Sequence, residues 1–155
     1  MLTKEQIDAI QADALRHPLK RAAAAEALKL VQRAHGWVSD EHLAETASLL
    51  DMTPAELESI ATFYSLIFRR PVGRHVILIC ESVTCHILGY DGLRDALLSR
   101  LRIEHLGQTT DDCRFTLLPV PCLGACDRAP AMMVDTDLHL DLTPEKINAI
   151  LDQYL

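Results

Sequence analysis

Glycine, proline and aromatic residues are scarce in this sequence: 6 Gly, 7 Pro and 5% Phe, Trp and Tyr among 155 residues. Together with 49% apolar and 24% charged residues, that scarcity excludes a disordered or low-complexity chain and leaves a soluble globular one. Long apolar runs are missing too. The longest strand-like run, Val76 to Cys80, falls far short of the ~20 residues a membrane helix needs, so direct membrane insertion is not expected. The start, MLTKEQIDAI, carries charge where a signal peptide has its apolar stretch, which points to a cytoplasmic chain. Positive charge is in deficit: 15 Lys and Arg stand against 22 Asp and Glu, for a net charge of -7 and no dense basic run. The electrostatic footprint of a nucleic-acid binder is therefore absent. Neither G-x-G-x-x-G nor a phosphate loop occurs, so the chain lacks the usual means of holding a dinucleotide.

What the sequence has is cysteine. Five in a chain without an export signal argue against a disulfide framework, because cytoplasmic thiols are kept reduced; metal or redox chemistry is the better explanation. Four of them form two pairs: Cys80 and Cys85 flank ESVT, and Cys122 and Cys126 flank LGA. A thioredoxin-type dithiol enzyme needs Cys-x-x-Cys at a helix start to depress one thiol pKa, and the chain has none. A Rieske centre needs two His ligands, and only His86 adjoins a pair. Four thiolates suit either a 2Fe-2S cluster or structural zinc. Paired zinc ligands mostly use a two-residue gap; the wider gaps here favour a cluster, with zinc and a thiol role left open.

The size allows one compact core with an extension. Residues 1–70 read as about four short helices. Thr3 and Gln6 form a capping box before Ile7, Ile10 and Ala14, in a helix ending near His17-Pro18. The Ala-rich stretch Arg21 to Ala34 stops at Gly36. Ser39 or Asp40 caps a third helix through Leu43, Ala47 and Leu50, and Thr53-Pro54-Ala55-Glu56 starts a fourth. Phe63, Tyr64, Leu66, Ile67 and Phe68 read as packing residues, since clustered aromatics are usually buried; a partner-facing end is the alternative.

Residues 71–155 change pattern. His75 to Ile79 and Phe115 to Val120 read as strands flanking a helix through Leu93, Ala96, Leu97 and Leu101, a unit that is normally parallel and right-handed. Ala131 to Val134 and Leu138 to Leu140 suggest a hairpin, and Thr143-Pro144 caps a last helix with Ile147, Ile150, Leu151 and Tyr154. Two parallel strands, a hairpin and two helices resemble the thioredoxin arrangement, an α/β fold. Each cysteine pair would follow a strand, on a loop at the same sheet end, where four sulfurs converge.

Gly124 can leave peptide amides close to sulfur. Ser82 and Thr84 could add hydroxyl donors to sulfur, but more simply serve their own turn. Pro121 and Pro130 stiffen the second loop. Cys113 reads as a small packing residue outside the site. His17, His35, His42, His75, His105 and His139 are scattered, as surface or packing residues are.

The segments ATFYSLIFRRPVGRH, ICESVTCHILGYDGL, GQTTDDCRFTLLPVPCLGACDRAP and MMVDTDLHLDLTPEKI carry a resemblance. They are similar to the thioredoxin-like ferredoxin subunits of bacterial respiratory complex I, the E-type subunits of NADH-quinone oxidoreductases, over nearly the whole chain. The resemblance implies a thioredoxin-like 2Fe-2S ferredoxin domain preceded by an N-terminal helical bundle segment. It also implies one 2Fe-2S cluster on Cys80, Cys85, Cys122 and Cys126, and no catalytic residue in this chain. The implied partner is an F-type flavin subunit that binds FMN and NADH, with other peripheral-arm subunits beside it, on the cytoplasmic side of an inner-membrane complex. In such complexes the cluster is a one-electron site off the main path to quinone. Similar subunits occur in NAD-dependent formate dehydrogenases and NAD-linked hydrogenases, but HILGYDGL looks more like the complex I form. A zinc-stabilised interaction module is the remaining alternative.

Overall fold

Side-chain caps start most of the helices of the N-terminal unit, Met1–Pro71, in the computed structural model, which describes residues 1–154. Thr3 and Gln6 satisfy each other's backbone amides at the start of α1 (Lys4–Ala14). A 3-10 turn, Lys20–Ala23, leads into α2 (Ala24–His35), which Gly36 closes in the left-handed conformation. Ser39 caps α3 (Asp40–Leu49) by accepting from the His42 amide, and Thr53 and Glu56 form a second capping box on α4 (Pro54–Phe63), with Pro54 at its first position. Helix α1 stops at Ala14, short of the expected His17-Pro18 boundary. The residue before a proline is pushed out of the helical region, which helps the last turn unwind early.

The core of this unit is aliphatic and narrow: Ile10, Leu28, Val31, Leu43, Leu50 and Leu57 close around Ala24, Ala27, Ala47 and Ala61. Alanines let the helices approach closely and leave little room for rings. Accordingly Phe63, Tyr64 and Leu66 are exposed, which corrects their reading as core, and only Ile67 of that group is fully buried. The buried stripe of α4 runs through Leu57 and Ala61; Phe63 lies off it, and Tyr64 already has extended backbone (φ -88, ψ 105), so its ring leaves the helix path. Two further features are not legible in the sequence. Arg69 ties three segments together, through Glu58 and Asp40 at 2.6 Å each and the Val38 carbonyl. The rings of His35 and His42 stack with centroids 4.0 Å apart, beside the Gln6 amide.

The second unit, from Val72 onward, holds β1 (His75–Cys80), α5 (Val83–Ile87), α6 (Tyr90–Leu101), β2 (Phe115–Val120), β3 (Met132–Val134), β4 (Asp137–His139) and α7 (Lys146–Leu151). The strand order is β2-β1-β3-β4. Strands β1 and β2 are parallel, joined across α6, while β3 pairs antiparallel with both β1 and β4. Ile77, Ile79, Leu117, Met132 and Val134 of the sheet meet Leu93, Leu97 and Leu101 of α6 and Ile147 and Leu151 of α7 in one core. The hairpin is where the periodicity places it, with its ends shifted by a residue and Asp135 turning the chain at φ +53. Gly73 lies against the Arg114 and Phe115 backbone: a Cβ there would come within 2.9 Å of main-chain atoms. Its amide donates to the Thr116 hydroxyl at 2.6 Å, locking the entry to β1 onto β2.

Candidate metal centre

The register of the parallel pair decides where the cysteines go. His75 stands opposite Phe115 and Cys80 opposite Val120, so both chains leave the sheet at the same end. There the Glu81 N–H donates to the Val120 carbonyl at 2.9 Å and the Cys80 N–H to the Ala131 carbonyl at 3.2 Å. Cys80 is the last residue of β1 and is buried; Cys122 follows β2 after Pro121 and is exposed, as is Cys126. Cys85 is not on a loop, as its spacing suggests, but inside α5, buried against the core. The uncharged run SVTCHI allows that turn of helix, which carries the sulfur inward.

Backbone donors surround the sulfurs. Burial alone would push the Cys80 thiol up, but the Ser82 and Leu123 amides, helped by the Cys85 thiol and the Ser82 hydroxyl, outweigh it and hold Cys80 below the ordinary thiol range. Cys85 goes the other way: burial raises it, only partly offset by the Ala131 amide and the Ser82 hydroxyl, and neighbouring Cys80 raises it further. Leu123 belongs to the second loop, so its amide joins the two cysteine segments at Cys80. Within that loop the Gly124 N–H donates to the Cys122 sulfur at 3.2 Å, an arrangement that uses a left-handed backbone (φ +77) open to glycine without strain.

Ser82 departs from its expected service to its own turn. It does sit at the start of α5, but its side chain makes no cap hydrogen bond, and its buried Oγ has no hydrogen-bond partner among the described residues. Its hydroxyl contributes to lowering both neighbouring thiols. Tyr90 and Glu81 do not stand out in the sequence. Tyr90, almost wholly buried, donates to Glu81 at 2.6 Å and so fixes the residue that follows Cys80. Its pKa is raised, first by burial and then by Glu81. A tyrosine five residues after Cys85, at a helix start, is the only signal the sequence offers.

Cys113 is exposed rather than packed, which corrects that expectation. It lies in the turn before β2, whose other end leads to Cys122. Its N–H donates to the Thr110 carbonyl at 2.8 Å and its φ of +54 turns the chain into the strand.

The structure thus brings together Cys80, Cys85 and the Leu123 amide, with Cys122 and Cys126 at the surface of the same sheet end. Among the described residues, no group of three or more His, Cys, Asp or Glu side chains is gathered tightly enough to enclose one metal ion. All-sulfur donors, amides aimed at sulfur and a spare buried hydroxyl fit the cluster.

Comparison with known proteins points the same way. The chain matches the family model described as thioredoxin-like 2Fe-2S ferredoxin over residues 10–155. It is 49% identical to the E subunit of NADH-quinone oxidoreductase from Escherichia coli (strain K12) over 154 residues, 96% of this chain and 92% of that relative. The corresponding E subunit from Salmonella typhimurium is 50% identical over 153 residues, 99% of this chain and 92% of the relative. Among solved structures, an NAD+-reducing NiFe-hydrogenase in the air-oxidised state superposes with a TM-score of 0.72 and 26% identity over 85% of this chain. This chain spans only 22% of that hydrogenase chain.

Proposed function

The chain belongs to the thioredoxin-like 2Fe-2S ferredoxin family, and from that premise we propose that it is the electron-transfer subunit of the NADH-oxidising module of an NADH-quinone oxidoreductase. Relatives about half identical over nearly its full length are named as the E subunit of that enzyme. Cys80, Cys85, Cys122 and Cys126 hold the 2Fe-2S cluster. When bound, the cluster supplies storage for one electron. NADH gives up two electrons as hydride, so a flavin has to stand between them; FMN and NADH are bound by an F-type partner, since this chain has no nucleotide motif. The chain completes an oxidoreductase without holding an active site of its own.

Its residues do three things. Core packing keeps water from Cys80 and Cys85. The Gly124 amide donates to the Cys122 sulfur, and the Ser82 and Leu123 amides favour the thiolate form of Cys80; both stabilise the negative charge that an added electron increases and so raise the reduction potential. Tyr90 fixes the carboxylate of Glu81, the residue after Cys80, by donating to it. No helix of the described residues is long and apolar enough to cross a membrane; the place proposed for the chain is the peripheral arm, on the cytoplasmic side.

The observation that carries this reading is the parallel register of β1 and β2, which sends both cysteine segments out of the sheet at the same end. Iron and zinc analysis with EPR on anaerobically purified protein tests it. Two irons per chain and a one-electron signal after dithionite are expected; colourless protein with one zinc would overturn it. The hydrogenase likeness supports a second host, an NAD-linked hydrogenase, and co-purification separates the two.

A further inference from the structure

The sheet end that carries the cysteines is unlike the rest of the surface. Residues 82–90 (SVTCHILGY) and 118–126 (LPVPCLGAC) contain no Asp, Glu, Lys or Arg, in a chain that is 24% charged with a net charge of -7. The same stretch is apolar where it meets solvent. Val83, Ile87 and Leu88 are 72%, 78% and 54% exposed; among the described residues of the second unit the other large exposed hydrophobic residue is Leu138. Val83 and Ile87 stand four apart on α5, so they share a helix face, with Cys85 turned to the core between them. Pro121, Cys122 and Gly124 extend the uncharged exposed surface on the other loop.

We propose that α5 and residues 121–126 form the docking face for the electron-exchanging partner, and that the partner covers it with an apolar, uncharged surface. This rests on the electron-transfer reading. Electron transfer falls off steeply with distance, so a partner has to approach the exposed ligands Cys122 and Cys126, and the surface around them decides what kind of protein can. Contiguous exposed apolar residues mark an interaction site. A chain with so many carboxylates could have ringed its cofactor with negative charge and drawn in a basic partner; instead residues 82–90 and 118–126 are uncharged, and of the charges that border them Glu81 is bound by Tyr90 and Arg128 by Asp141. Association here is driven by desolvation, and opposite charges do not steer it.

The test uses the full chain co-expressed with the flavin and NADH-binding subunit of its host complex. Ile87→Glu and Val83→Lys place opposite charges on the face, and Leu138→Glu on β4 is the control. Both face variants are expected to keep the dithionite-reducible EPR signal per chain, while co-purifying flavin subunit and cluster reduction by NADH fall about tenfold or more. Leu138→Glu should match the unsubstituted chain, whose association should change less than about twofold between low and high salt. Unchanged co-purification of the two face variants would overturn the proposal, as would weakening by only one sign of charge or a strong salt dependence. So would an Ile87-dependent dimer of this chain, or Ile87-dependent binding to phosphatidylcholine vesicles, in place of the partner. A missing EPR signal in the unsubstituted chain would sink the cluster reading instead, leaving co-purification to judge the face.

Discussion

Cys80 and Cys85 belong to the core of the second unit, 3% and 1% exposed, whereas Cys122, on a loop, and Cys126, which opens the 3-10 turn Cys126–Arg128, stand in solvent. The first pair is positioned by the same packing that makes the fold, with Ile77, Ile79 and Leu93 in the same cluster. The second is positioned by backbone: the end of β2, Pro121, and the Gly124 turn with its amide on Cys122. One half of the site is therefore rigid before any metal arrives, and the other can close around it. On the proposed ligand set that division also separates two tasks, since the buried pair keeps water away while the exposed pair gives an electron a short way out.

Substituting a ligand breaks the comparison most completely. Cys85→Ser and Cys122→Ser should each reduce bound iron to a small fraction, read by metal analysis, while Cys113→Ser retains it. If Cys113→Ser lost its iron, the ligand set itself would be wrong. Thiol labelling sharpens the contrast next. In iron-free protein Cys113, Cys122 and Cys126 should react quickly with a maleimide and Cys80 and Cys85 slowly; in loaded protein only Cys113 should remain fast. Equal rates for all five would erase the distinction between the pairs.

Gly124→Ala tests the backbone half alone. Nothing lies within 4 Å of the added Cβ, so the effect is conformational, from a φ of +77. A cost of about 1 kcal/mol in denaturant unfolding is expected, with a more negative reduction potential as the amide on Cys122 is displaced. An unshifted potential would remove that amide from the account. The smallest effect lies outside the site. Burial first, then the nearby His35, lowers the His42 pKa from its ordinary 6.5, against the pull of Glu41 and Glu45. The folded unit disfavours the protonated ring, so this contribution is present above about 6.5 and is lost as pH falls through the depressed value. Acid unfolding monitored by circular dichroism should be shallower in His42→Leu, with cluster absorbance unaffected.

Much of this is legible in the residues. Thr3, Ser39 and Thr53 announce three helix starts, because a cap depends on neighbours one turn away. Short β-rich apolar runs mark β1, β2 and the hairpin. What escapes such reading depends on distant partners. Phe63, Tyr64 and Leu66 are apolar enough for a core, yet whether a core has room for them is decided by Ala24, Ala27 and Ala47 on other helices. Arg69 looks like any surface arginine until Val38, Asp40 and Glu58 are folded around it.

The cysteine spacing by itself determined that two thiol pairs follow two strands, and family resemblance named what they hold, because both are properties of the chain read in order. Only the tertiary structure decided which pair is buried, that Leu123 of the other loop helps to lower the Cys80 thiol, and that the buried Ser82 hydroxyl leaves its own turn uncapped. Those depend on the parallel register that sets Cys80 opposite Val120, 40 residues apart in sequence and adjacent in the sheet.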